Sequence, residues 1–294
     1  MAILDSARLT PSVRFNLPRL LIPAIIYFGL LACATLLNGP LLFGLFIAMG
    51  LTEYRLYFPL HEAAHRLLFR ERRLNDFAGT VLASLLFTSF PAFRNEHIAH
   101  HTHLGTERDP GAADYRFALT TRWQLVRFLL APLAGGTLLG KITNLLGHRE
   151  RAGSGALAMV KAMLPTAAIQ LAIAVAVCVP RMELWRYPVL AVLPFVTIFL
   201  FLSRMRMFLE HGTLSNPSQG ATSAVVARTF TGYGWDSWLL SGYSFRFHYE
   251  HHKQPTIPGS SLAEVHANNL LRTPKEEVCT SYRAALGDLW RTLK

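Results

Sequence analysis

The sequence is 294 residues long, 51% hydrophobic and only 16% charged, with a mean hydropathy of +0.28. Soluble domains carry about 25% charge, so this balance excludes an ordinary soluble enzyme and indicates a membrane protein. The net charge of +11 comes without a nucleic-acid motif or a basic surface interleaved with stacking aromatics, so no nucleic-acid partner is expected.

Arg8, Arg14 and Arg19 precede an uncharged run over 20–37, which reads as a retained membrane anchor. A hydrocarbon core of about 30 Å asks for roughly 20 helical residues. Asn38-Gly39-Pro40 then interrupts the run, and a second helix is predicted over 41–60, closing a hairpin. Two shorter apolar pieces, 77–93 and 125–142, are rich in Gly, Pro, Ser and Thr. They are predicted to lie at the interface or to be re-entrant.

A second hairpin is predicted from 156–179 and 187–209, with Arg181, Glu183 and Arg186 at its turn. Lys161 lies near a helix end, where it can snorkel. Pro165 and Pro194 are tolerable because bundle neighbours can satisfy the freed carbonyls. Residues 66–151 hold twelve Lys/Arg and 204–294 hold ten. The positive-inside rule therefore puts both large polar segments and both termini on the cytoplasmic side. The expected fold is an all-α integral membrane protein, with two transmembrane helical hairpins, interfacial helices and a cytosolic histidine-rich cap from 61–155 and 210–294. No linker divides the chain, and 1–294 reads as one domain. Cys33, Cys178 and Cys279 are scattered and indicate neither a disulfide framework nor a thiolate site.

Eight of the twelve histidines fall into three clusters: His61 with His65, then His97, His100 and His101, then His248, His251 and His252. On a helix, i and i+4 share a face with Cβ atoms about 5–6 Å apart, so each outer pair can aim at one point. The histidine at i+3 either joins that point or turns to a neighbouring one. The stretch HEAAH also matches the zinc-protease pattern, with Glu62 as base. A catalytic zinc takes three protein ligands, which would leave six clustered histidines without a role. Glu62 is instead read as an acceptor for a ligand imidazole N–H or as a solvated residue.

The three boxes resemble those of the membrane-bound fatty acid desaturase and hydroxylase superfamily, whose members are non-haem di-iron proteins. The resemblance implies a metal set of His61, His65, His97, His100, His101, His248, His251 and His252. His211, in RMFLEHG after the last membrane helix, takes the place of a further family ligand. HHTHLGTERDPG and HHKQPTIPGSSLAEVH are similar to the family's flanks, which gives supporting roles to His103, Asp109 and His266. Glu210 and Glu250 adjoin ligand candidates and can orient an imidazole, with Arg206 and Arg204 as partners. His148 lacks such support. Met207 stands where stearoyl-type relatives often carry an Asn, so that contact is missing.

The resemblance implies two iron ions, O2 as co-substrate and oxidation of an unactivated C–H bond in a lipid-like substrate. Fatty acyl or lipid desaturation is the first reading; hydroxylation or ketolation of a lipid or carotenoid is the alternative. Candidate pocket walls are Leu56, Tyr57, Phe90, Phe93, Phe208 and Trp235. No His-Pro-Gly-Gly haem signature is present, so a separate electron donor is expected: a ferredoxin, a rubredoxin or a cytochrome b5-like protein with its reductase. A bacterial inner membrane is the expected setting.

Overall fold

The computed structural model describes residues 10–116, 119–136, 156–212, 227–242, 244–269 and 271–294. Four long apolar helices dominate them. α1 (Val13–Leu36) starts at Ser12, whose hydroxyl accepts from Phe15 N. It begins seven residues before the uncharged run, so Arg14 and Arg19 lie in its first turns. Gly39, at φ +64°, makes the tight turn into α2 (Leu41–Ala64). The second helix outruns its expected end at 60 and carries His61 in its last turn. Gly50 lets α2 approach the last membrane helix closely, because a Cβ there would sit 2.6 Å from Ile198 Cβ.

α3 (Arg72–Leu85) and α4 (Phe90–His103) meet at 96°. The break has a local cause. Phe87 takes φ +59°, Ser89 caps α4 by accepting from Ala92 N, and Pro91 sits in the first helical turn. The piece over 77–93 is therefore a sharp corner and not a continuous span. Past it come α5 (Arg122–Leu130) and a 3-10 turn, Ala131–Ala134. The remainder of the apolar piece over 125–142, from 137 onward, and His148 lie outside the described residues.

α6 (Ala156–Cys178) and α7 (Pro188–His211) form the second hairpin. The first part of α7 holds two π-helical stretches, Pro188–Val192 and Phe195–Phe199. By length and hydropathy α1, α2, α6 and α7 are long and apolar enough to cross a bilayer, and the protein is an integral membrane protein.

At the turn ends, fully buried Arg186 ties one hairpin to the other. Its guanidinium donates to Ala34 O (2.6 Å), Leu37 O (3.1 Å) and Asn38 Oδ1 (2.6 Å) and meets Glu183 Oε2 at 2.5 Å. Arg186→Ala removes every one of these bonds and strands two backbone carbonyls. Its melting midpoint in detergent should fall by about 5 °C or more; an unchanged midpoint would show that the clamp contributes nothing.

A cap covers the other end of the bundle. It contains α8 (Trp235–Ser241), α9 (His248–Lys253), α10 (Leu262–Ala267) and α11 (Tyr282–Thr292). A two-residue parallel ladder, β1 (Thr229–Phe230) with β2 (Val278–Cys279), holds the cap segments in register. Tyr54 OH donates to Leu240 O at 2.7 Å. Asn16 Nδ2 donates to Leu67 O and Leu68 O at 2.8 and 2.9 Å. Cap and bundle are thus joined by hydrogen bonds as well as by packing.

Candidate metal centre

All three boxes meet at the cap end of the bundle and sort into two compact groups. One contains His61, His65, His97, His101 and His251; the other contains His100, His211 and His252. Within each group the ligand nitrogens all lie within 4.8 Å of one another. Helical geometry explains the division. On α4, His97 and His101 share a face while His100 turns to the second group. On α9 the neighbours His251 and His252 part in the same way. α2 delivers His61 and His65 from its end, and His211 is the last residue of α7.

His248 stands beside the second group. Its Nε2 lies 2.9 Å from His211 Nε2 and 3.3 Å from Glu210 Oε2.

The convergence is mainly through Nε2. His65 and His97 approach at 2.7 Å, His97 and His101 at 3.2 Å, His101 and His251 at 3.1 Å, and His100 and His211 at 3.2 Å. Many imidazole nitrogens crowded into two buried spaces cannot satisfy one another as donors and acceptors. Both ring nitrogens of His61 and of His252 are buried without a hydrogen-bond partner. Such orphans are costly unless a cation takes their lone pairs. All-imidazole donor sets suit divalent first-row metals, iron included, so these residues fit two such ions.

His100 is held from behind, and two further buried carboxylates tie the surrounding segments together. Asp109 accepts His100 Nδ1 at 2.9 Å and Gly111 N at 2.7 Å, and also bonds the Tyr115 hydroxyl. Burial alone would raise the Asp109 pKa, but the bonds from His100, Tyr115 and Gly111 outweigh it and hold the group below its ordinary value. Glu210 takes two bonds of 2.9 Å from Arg206 and one of 2.7 Å from Tyr282 OH. Glu250 meets His266 Nδ1 and Thr273 Oγ1, each at 2.6 Å, and also bonds the Thr229 hydroxyl.

Some expected roles land elsewhere. Glu62 is buried, not solvated, and accepts the Gly259 N–H at 3.4 Å, so it ties the loop after the third box to α2. That placement leaves the protease reading without its base. His103 contributes its carbonyl to Thr106 and joins neither group. His266 bonds Glu250, packs against the Phe247 ring at 5.2 Å and joins neither group. Arg204 pairs with Asp114, not with a glutamate. Tyr115, Tyr282, Thr229 and Thr273 were not foreseen, since each contact depends on how the cap folds over the bundle.

A cavity of about 280 Å³ adjoins the rings and is lined in part by His61, His97, His100, His211 and His248. Tyr57 and Phe93 are among its lining residues. Phe90, Phe208 and Trp235 lie outside it. The Phe90 ring packs where a Gly79 Cβ would sit, 2.5 Å from that position, and Phe208 is buried against Phe128 at 5.3 Å between ring centroids. Trp235 is 62% exposed, and Leu56 is buried in the core. The apolar end is supplied instead by Phe195, Val196, Phe199 and Leu200, from the π-helical part of α7 and the residue after it.

Outside the membrane-spanning helices, burial lowers His65 to about 4, with Arg94 contributing, and lowers His101 to about 2. It also holds His251 and His252 well below the ordinary value of 6.5. All four are therefore neutral near neutrality, the form that binds metal. Unfolded histidines take up protons as the pH drops through 6.5, while folded His65 waits until about 4. Stability that is present above the first value is lost through that window. The melting midpoint of metal-free protein should fall steadily on acidification from about pH 7 to about pH 4; a flat profile would contradict the burial of these rings.

Residues 21–283 match the family model described as fatty acid desaturase. No individually curated protein matched the chain.

Proposed function

The chain belongs to the fatty acid desaturase family, and on that premise we propose that it desaturates an acyl or related lipid chain in an O2-dependent reaction at two iron ions. The observation that carries this reading is the pair of buried histidine groups beside a cavity whose far end is apolar. His61, His65, His97, His101 and His251 would hold one ion. His100, His211 and His252 would hold the other, with His248 beside them. Bound iron would supply the O2-dependent oxidising power, chemistry that no protein side chain has.

The chain's own residues position the substrate. Phe195, Val196, Phe199 and Leu200 offer a dry wall for methylene groups, while Tyr54, Tyr57 and Phe93 narrow the passage beside the rings. Among the described residues, Arg206 in the cavity lining is engaged by Glu210, and Arg204 on the same helix by Asp114. Neither is left to attract a charged headgroup inward, which favours seating of the hydrocarbon portion. Buried Asp109 fixes the His100 ring through its Nδ1, Glu210 lies against His248 Nε2, and Glu250 anchors the third-box helix to His266, Thr229 and Thr273. The substrate gives up two hydrogens, a separate donor supplies two electrons, solvent supplies two protons, and O2 leaves as two waters. The charge asymmetry of the loops supports a cytoplasmic position for the centre, where a soluble or membrane-tethered donor can reach it.

Mass spectrometry of host lipids, with and without expression, tests the proposal directly. Loss of two hydrogens from a lipid species, dependent on O2 and reductant, is the expected result. Gain of one oxygen instead would make the enzyme a hydroxylase. An unchanged lipid profile, with purified protein that carries a single zinc, would overturn the iron reading.

A further inference from the structure

Among the described residues three arginines are almost completely buried, and two of them are neutralised. Arg186 has Glu183 and three oxygen acceptors, and Arg206 has Glu210. The third, Arg246, is 2% exposed. Its Nε and Nη1 are buried with no hydrogen-bond partner. A guanidinium is a permanent cation, and a buried charge without a partner is destabilising. Aromatic faces offset only part of that cost: the Tyr233 ring lies 3.4 Å from the guanidinium carbon and the Phe247 ring 4.6 Å. The stretch over 213–226, which precedes β1, has no acidic residue to contribute.

The surroundings indicate which anion would complete the site. Tyr233 is 72%, Trp235 62% and Trp238 47% exposed, so one short segment presents three aromatic side chains outward. Arg55 donates to Trp238 O at 2.7 Å and lies 5.0 Å from the Trp238 ring. Arg283 lies 5.4 Å from the Trp235 ring. Exposed Trp and Tyr interleaved with arginine are the signature of the headgroup layer. Tyr54 and Arg55 of membrane helix α2 both bond α8, which fixes this segment beside a spanning helix.

We propose that Arg246 is the core of a phospholipid site, in which the phosphate of a bilayer lipid enters beneath Tyr233 and takes the unpartnered N–H donors. The site is separate from the substrate cavity, whose lining does not include Arg246, Tyr233 or Phe247. It holds a lipid as a structural ligand two residues before His248, and it stands whether or not the iron reading does. Arg246 is a positioning residue, and its occupancy would steady the start of α9 and the third histidine box.

The test uses full-length protein in detergent, titrated with dioleoylphosphatidylglycerol or with inorganic phosphate. Binding is read by native mass spectrometry and by the melting midpoint. The lipid should form a one-to-one adduct and raise the midpoint, whereas inorganic phosphate at equal concentration should do neither. Arg246→Gln should weaken lipid binding about tenfold, the scale of one charge-assisted contact. Arg246→Lys should bind between wild type and Arg246→Gln, because the charge survives but the paired N–H donors and the stacking on Tyr233 do not.

Tyr233→Ala provides a second arm that keeps the arginine and alters an exposed side chain. It opens the site to water, so lipid binding should become markedly salt-sensitive while that of the wild type changes little. Equal binding by wild type and Arg246→Gln would overturn the site. If Arg246→Gln does not fold, an unaltered salt response in Tyr233→Ala would overturn it equally. Stabilisation by inorganic phosphate to the same extent would replace the lipid with a soluble anion.

Discussion

His252→Ala should abolish turnover and remove about one of two iron ions per chain, with membrane insertion and helix content unchanged. Among the described residues the second histidine group has three members, His100, His211 and His252, so the substitution leaves it two rings with His248 nearby. Mutating residues that merely support a ligand commonly costs 10–100-fold in metal affinity or activity. Removing a ligand should exceed that, giving a loss of more than about 100-fold. His101→Ala should abolish turnover as well and lower iron content, but four rings of its five-membered group remain. Its metal loss should therefore be shallower at saturating iron. Iron analysis beside the oxidation assay separates these outcomes. Normal iron content and activity in His252→Ala would break the ligand assignment.

How much of this centre could be read from the sequence depends on which interactions are local. The i,i+4 spacing within each box follows from helix geometry alone, and so does the divergence of adjacent rings such as His100 and His101. Pairing between boxes is a tertiary fact. Nothing in the spacing says that His251 joins His61 and His65 while His252 joins His211. The two membrane hairpins were legible because long uncharged runs leave few alternatives. The 96° corner was less so, since Phe87 at positive φ carries no compositional signal. The cavity wall was the weakest reading. Phe90 and Phe208 are aromatic and adjacent to the boxes, but the helical face each occupies turns them into the core. Phe195 and Phe199 were passed over within an apolar run, where every residue is equally suited to lipid, core or pocket.

The buried pair formed by Arg206 and Glu210 should show the largest stability effect. Both side chains are nearly inaccessible, at 6% and 2%, so neither charge can be relieved by water. Arg206→Met removes the cation and leaves the carboxylate with Tyr282 and His248. Breaking one side of a buried pair costs about 3–5 kcal/mol, and the melting midpoint should fall accordingly. Activity should fall as well, because Glu210 loses the two bonds that hold it against His248. The pair's net contribution is a different quantity. Apolar replacement of both partners is often neutral or stabilising, so Arg206→Met with Glu210→Leu should recover much of the lost stability. Activity should not return, because no carboxylate remains beside His248. This split between restored folding and absent turnover identifies the pair as an orienting device for the third box. A double variant as unstable as Arg206→Met alone would instead mean that the helix packing around α7 depends on the guanidinium, through its place among the Tyr57, Phe58 and Phe245 rings.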